Sequence, residues 1–159
     1  MQRLTALVQY FKAEQLIIVG DLFHSHANKE MELFLRWRND FITLNIQLII
    51  GNHDILPADW YQQANISCIT DQLQMGPFIF THDKAASNVT GDVFVFSGHM
   101  HPAVIIDGNA RQSLKFPCFH FTKHHAVLPA FGRFTGTHNI RRTKGDAVFA
   151  IAQNSILKL

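Results

Sequence analysis

The sequence predicts an α/β fold, and three observations predict it. Helical and strand periodicities alternate twice within residues 1–50, each apolar run there closes in a glycine followed by polar side chains, and apolar runs of strand length fill the second half. Leu4, Leu7, Val8 and Phe11 recur at helical spacing within residues 1–13, and the run Leu16 to Val19 ends at Gly20-Asp21. A second helical stretch, Lys29 to Leu44, puts Leu33, Phe34, Trp37 and Phe41 on one face and leads into the run Ile46 to Ile50, which ends in Gly51-Asn52-His53-Asp54. Functional groups of open α/β sheets gather at the carboxyl ends of strands, so both polar segments stand where chemistry is expected. A short helix from Pro57 to Ala64 follows, opened by proline. Strands are then expected at 66–69, 72–75, 77–80, 93–97, 103–106, 116–121, 126–130 and 147–152. Asp107-Gly108-Asn109 and Lys144-Gly145-Asp146 have the residues of hairpin turns. With no repeat and no linker, residues 1–159 are expected to be a single domain.

A hydrophobic content of 47% with 16% charged residues is globular rather than disordered composition. No apolar run approaches the roughly 18 residues that cross a bilayer, and Met1 opens amphipathic sequence rather than a charged and then apolar leader. A soluble cytoplasmic protein without a membrane partner is therefore expected. Cys68 and Cys118 form no CxxC pair and are expected as buried free thiols. Charge is unevenly distributed: residues 1–107 carry six Lys or Arg against eleven Asp or Glu, whereas residues 108–145 carry seven basic residues and no acidic one. Arg111, Lys115, Lys123, Arg133, Arg141, Arg142 and Lys144 are a candidate field for a phosphate backbone, the alternative being basic side chains scattered over several faces.

A phosphate ester held by two divalent ions about 3.5–4 Å apart needs oxygen and nitrogen ligands delivered together, with a carboxylate that can bridge. Asp21, at the turn after an apolar run, is a candidate bridge, although Gly-Asp alone describes a helix cap or turn equally well. Residues 51–54 offer a carbonyl oxygen, an imidazole and a carboxylate in succession. Asn52 is a candidate metal ligand, His53 a group placed to reach the phosphate, where it would stabilise charge on the phosphoryl oxygens or donate a proton to the leaving oxygen, and Asp54 the carboxylate that orients and charges it. The alternative is an Asx-rich turn with a satisfied histidine. His99 and His101 stand at i and i+2, so an extended segment would project both to one side, for one metal each. His82, after the apolar residues Phe78 to Phe80, is the remaining candidate ligand. His24 and His26 follow Asp21, and either, His24 first, is a candidate for contact with metal or phosphate, the alternative being solvated side chains or groups that support the ligands. His120, His124, His125 and His138 have no ligand spacing and are expected in structural roles, with phosphate contact as the alternative.

GDLFHS from Gly20, GNHD from Gly51, FTHD from Phe80 and GHMHP from Gly98, in this order, resemble the calcineurin-like metallophosphoesterase superfamily. SLKFPCFHF from Ser113 and LPAFGRFTGTH from Leu128 resemble, within it, the bacterial family described as ligase-associated DNA damage response endonucleases. The resemblance implies an α/β/β/α sandwich with metals at the sheet edge. It implies that Asp21 bridges two divalent ions, that Asn52, His82 and His99 complete one metal site, that His101 belongs to the other, and that His53 is catalytic. Manganese is the first choice, with zinc or iron as alternatives. A phosphate ester, DNA among the candidates, is the implied substrate, and DNA-ligase-associated repair proteins are the implied partners.

In the resembling family the second metal is also held by an Asp-x-His segment on a first strand, yet nineteen residues precede Gly20 here and none is Asp or His. A sandwich lacking its first strand, an N-terminally truncated domain with one metal site incomplete, is therefore expected. An internal or mis-assigned start and a truncated, weakly active paralogue both account for this, and an uncovered sheet position would favour oligomerisation. The expected function is a metal-dependent phosphoesterase, a phosphodiesterase or nuclease that uses a metal-activated water. The alternatives are a phosphomonoesterase acting on a small nucleotide and a catalytically weakened binding module in a DNA repair assembly.

Overall fold

The computed structural model describes residues 1–23, 29–83, 92–108, 112–132 and 135–159. They form two compact units, Met1–Thr70 and Asp71–Leu159. Mixed α/β structure, the predicted class, is what the chain has.

The first unit comprises α1 (Gln2–Phe11), β1 (Gln15–Val19), α2 (Lys29–Asp40), β2 (Asn45–Ile49), α3 (Ala58–Gln63) and β3 (Ile66–Ile69). Its three strands form a parallel sheet in the order β1-β2-β3, with Val19 opposite Ile49 and Ile49 opposite Ile69. Parallel pairing needs crossovers, and α2 and α3 supply them. Leu48 and Ile49 are fully buried, and Phe34, Trp37, Ile46 and Tyr61 pack the core around Leu48. Helix α2 differs from expectation in extent and in face. It stops at Asp40, and its buried stripe is Met31, Phe34, Trp37 and Arg38, while Leu33 is 54% exposed. The buried guanidinium of Arg38 reaches past the end of the helix and donates to the carbonyls of Phe41, Ile42 and Ala64, tying α2 to the segments that follow it and α3. Burial of that group lowers its pKa.

The second unit comprises β4 (Gln72–Met75), β5 (Phe78–Thr81), β6 (Phe94–Ser97), β7 (Pro102–Asp107), β8 (Ser113–Phe121), β9 (His125–Val127), β10 (His138–Asn139), β11 (Ala147–Ala152) and β12 (Ser155–Lys158). The sheet runs β10-β7-β8-β9-β6-β5-β4, with β11 on β8 and β12 on β11. Strand β8 changes neighbours along its length, pairing with β7 through Pro117 and with β11 from Cys118 onward. Proline has no N–H for a ladder, which suits it to that handover. Strands β7 and β8 pair antiparallel with Asp107 opposite Ser113, while Asn109 of the turn expected there lies outside the described residues. The hairpin expected around Gly145 does not form, because β10 pairs in parallel with β7 while β11 pairs with β8. A hairpin that sequence patterning missed joins β11 to β12 instead, and Gln153 in its turn has φ +52°. Cys118, Val148 and Ala150 are fully buried in one apolar cluster, whereas Cys68, expected inside, is exposed.

Candidate functional site

Parallel register explains why functional segments far apart in sequence meet. In the first unit β1 and β2 end level, so Gly20-Asp21 and residues 51–54 leave the sheet side by side. Gly20 has φ +77° and Asp21 φ +55°. A left-handed Asp costs about 1–3 kcal/mol and persists only where its surroundings hold it. Asp54 does the holding. One of its carboxylate oxygens accepts the N–H groups of Asp21 at 2.7 Å and Gly51 at 2.8 Å, and the other accepts that of Leu22 at 2.8 Å. The link is returned when the His53 N–H donates to Asp21 Oδ1 at 3.0 Å. Asp54 therefore buckles two loops together through backbone donors. Asn52 and His53 are exposed at the same strand end, and Asp54 is half-buried beneath them.

The second unit repeats this construction with imidazoles. Strands β5 and β6 are parallel, with Thr81 opposite Ser97, so His82 and Gly98-His99 leave the sheet together. Gly98 N–H donates to the His82 carbonyl at 3.1 Å, and His82 Nε2 faces His99 Nδ1 at 3.1 Å. His82 is buried and His99 is exposed. Residues 98–101 are not the extended segment that the i, i+2 spacing suggested. His99 and His101 both have positive φ, +58° and +44°, and Met100 N–H closes a three-residue turn onto the Gly98 carbonyl at 2.7 Å. The loop turns His99 toward His82, while the half-buried His101 is fixed through its carbonyl, which accepts the His138 N–H at 2.9 Å.

Two facing imidazole nitrogens fit a shared ion. Metal–nitrogen bonds of about 2.0–2.1 Å leave neighbouring ligands about 3.0–3.4 Å apart, which is the spacing of His82 and His99. Carboxylate, amide oxygen and imidazole together are the donor set of a first-row divalent metal.

Other candidates have different placements. His24 and Arg133 lie outside the described residues, as do His26 and Arg111. Arg141, Arg142 and Lys144 are exposed between β10 and β11, and Lys123 is exposed ahead of β9. Lys115 Nζ donates to the Thr137 carbonyl at 3.0 Å. His120 meets Asp146 at 2.9 Å, and the same carboxylate oxygen accepts the Thr143 N–H and hydroxyl, so this histidine clamps β8 to the start of β11. The His120 hydrogen bond, helped by Thr143, holds the Asp146 carboxyl down to about 2. His124 and His138 are exposed. His125 is buried against Ser97, a pairing that ligand spacing gave no means of finding.

No family model matches the chain, and no curated protein matches it. Among solved structures, a crystal structure of the Pseudomonas putida nuclease MPE is similar, at 30% sequence identity and a TM-score of 0.80, over 94% of this chain and 72% of that one. Among the described residues no helix is long and apolar enough to cross a membrane.

Proposed function

From the premise that this chain belongs to the family of the Pseudomonas putida nuclease MPE, we propose that it is a metal-dependent phosphoesterase that hydrolyses phosphodiesters of nucleic acid. The observation that carries the proposal is the pair of imidazole nitrogens, from His82 and His99, facing each other at 3.1 Å at the ends of parallel strands. The nuclease activity in the relative's name and the exposed Arg141, Arg142 and Lys144 support a polyanionic substrate.

Under this assignment Asp21, Asn52, His82, His99 and His101 are the residues that would hold divalent ions. Asp21, His82 and His99 are the carboxylate and imidazole types that divalent ions take, and the mixed oxygen and nitrogen donors suit manganese first, with zinc or iron as alternatives. Bound divalent ions supply charge neutralisation of the phosphate and a lowered pKa for water. The remaining work belongs to this chain's own groups. Asp54 holds Asp21 in its left-handed conformation through backbone N–H groups, so the carboxylate is presented in one orientation. The exposed His53 imidazole donates a proton to the departing oxygen, a task that general acid catalysis places within hydrogen-bond reach of the substrate.

The test is hydrolysis of bis(p-nitrophenyl) phosphate, p-nitrophenyl phosphate and a short DNA oligonucleotide by protein stripped of metal and then reloaded with manganese. Cleavage of the diester and of DNA, abolished by chelator, is expected. Preference for the monoester would reassign the substrate to small nucleotides, and no metal-dependent turnover of any of the three would leave a binding role. Turnover of His53→Ala at the parent rate would remove the proton-donor role.

A further inference from the structure

Ser97 and His125 form a buried polar contact that no ligand role explains. Their exposures are 2% and 5%, and Ser97 Oγ lies 2.8 Å from His125 Nε2 across the parallel pair β6 and β9. Burying an imidazole and a hydroxyl in a sheet core is costly unless each is hydrogen-bonded, and two apolar side chains of similar volume would pack there without that requirement. The backbone next to the pair is also tied by hydrogen bonds. The His125 carbonyl accepts both the N–H and the hydroxyl of Thr122, the His124 carbonyl accepts the Val95 N–H, and the Ser97 carbonyl accepts the Leu128 N–H. Ser97 is the last residue of β6, followed directly by Gly98, whose N–H is tied to His82, and by His99 at positive φ.

We infer that His125 is a positioning residue: acting through Ser97, it fixes the end of β6 so that the strained turn holds the His99 ring against His82. A left-handed histidine in a tight turn has lower-energy alternatives, and the strand end that feeds the turn must be immobile for it to persist. The Ser97–His125 contact locks that strand end to β9, where an apolar pair would leave the hydroxyl-side geometry unset.

The consequence for metal affinity rests on the proposed ligand role of His99, whereas the positioning itself does not. Two readouts separate them. In metal-free protein, the nuclear Overhauser signal between the His82 and His99 rings is expected to persist in the parent and in His125→Gln, whose amide reaches where Nε2 stood, and to disappear in His125→Leu and in Ser97→Ala. Retention of the signal in both His125→Leu and Ser97→Ala overturns the inference. So does its disappearance in His125→Gln with the remaining spectrum unchanged, since a hydrogen-bonding replacement would then fail to rescue. Manganese affinity measured by calorimetry is expected to fall about 10–100-fold in His125→Leu and to stay within about threefold in His125→Gln, the scale known for residues that orient metal ligands. A parent protein that binds no manganese defeats the proposed function, and the ring-to-ring signal still decides the inference.

Discussion

Replacing Asp54 by alanine removes the acceptor of three backbone N–H groups at 2.7, 2.8 and 2.8 Å, those of Asp21, Gly51 and Leu22. Hydrogen bonds to a charged group contribute about 1.5–3 kcal/mol each, and the half-buried setting argues for the lower figure, so the variant should lose about 4–5 kcal/mol. That is a large part of the about 5–15 kcal/mol that stabilises a typical domain. Asp54→Asn keeps one acceptor oxygen and should lose about 3 kcal/mol, because its amide N–H groups would face backbone donors. Both tryptophans, Trp37 and Trp60, lie in the first unit, so their fluorescence during urea denaturation reports on the unit that contains Asp54. The measurement belongs in chelator, since a bound ion would add linkage stabilisation of its own. A loss below about 1 kcal/mol in Asp54→Ala would show that water replaces the carboxylate at these amides, and the buckle between the two loops would have to be abandoned.

His99→Ala should weaken manganese binding by more than the about 10–100-fold typical of residues that merely orient ligands, and a titration showing a smaller change would remove His99 from the ligand set. The folded-state pKa of Asp146 is depressed to about 2 from its ordinary value of 3.8, so its contribution to stability is present above about pH 4 and is lost as pH falls through 2. Urea midpoints recorded between pH 5 and pH 2 should therefore fall more steeply for the parent than for Asp146→Asn, and parallel curves would contradict the depressed pKa. Arg141→Ala with Arg142→Ala should weaken DNA binding and reduce the slope of log affinity against log salt by about 1–2, roughly one unit for each phosphate that is no longer neutralised. An unchanged slope would place the DNA elsewhere. Leu48→Ala, at a fully buried position in β2, should cost about 2–5 kcal/mol in the same fluorescence assay, and a cost near zero would mean that the core collapses around the gap.

Local pattern carried much of the candidate site into the sequence. The apolar runs ending at Gly20 and Gly51 are strands, and their closing residues do stand together, because two parallel strands in register must end side by side. The same holds for the runs that end before His82 and Gly98. What one-dimensional spacing misjudged was backbone conformation. His99 and His101 looked like an extended i, i+2 pair, yet both occupy the left-handed region, since the turn that brings His99 to His82 leaves no room for a strand. Leu33 fitted a helical stripe and is exposed, because the stripe that faces the sheet begins at Met31. The lysine–glycine–aspartate turn made no hairpin, because the strand before it, β10, pairs with β7 while the strand after it, β11, pairs with β8.

The sequence by itself determined the α/β class, the order of the strands that end in polar segments, and the residue types able to take a divalent ion and a phosphate. Each of these depends on neighbours within a few positions along the chain, where hydrophobic period and turn chemistry act. Only the tertiary structure decided which groups meet: Asp54 with the backbone of Asp21 and Leu22, His82 with His99, His120 with Asp146, and Ser97 with His125. Those pairings span 17 to 33 residues of sequence, and a hydrogen bond depends on distances of about 3 Å that exist once strand register has been chosen.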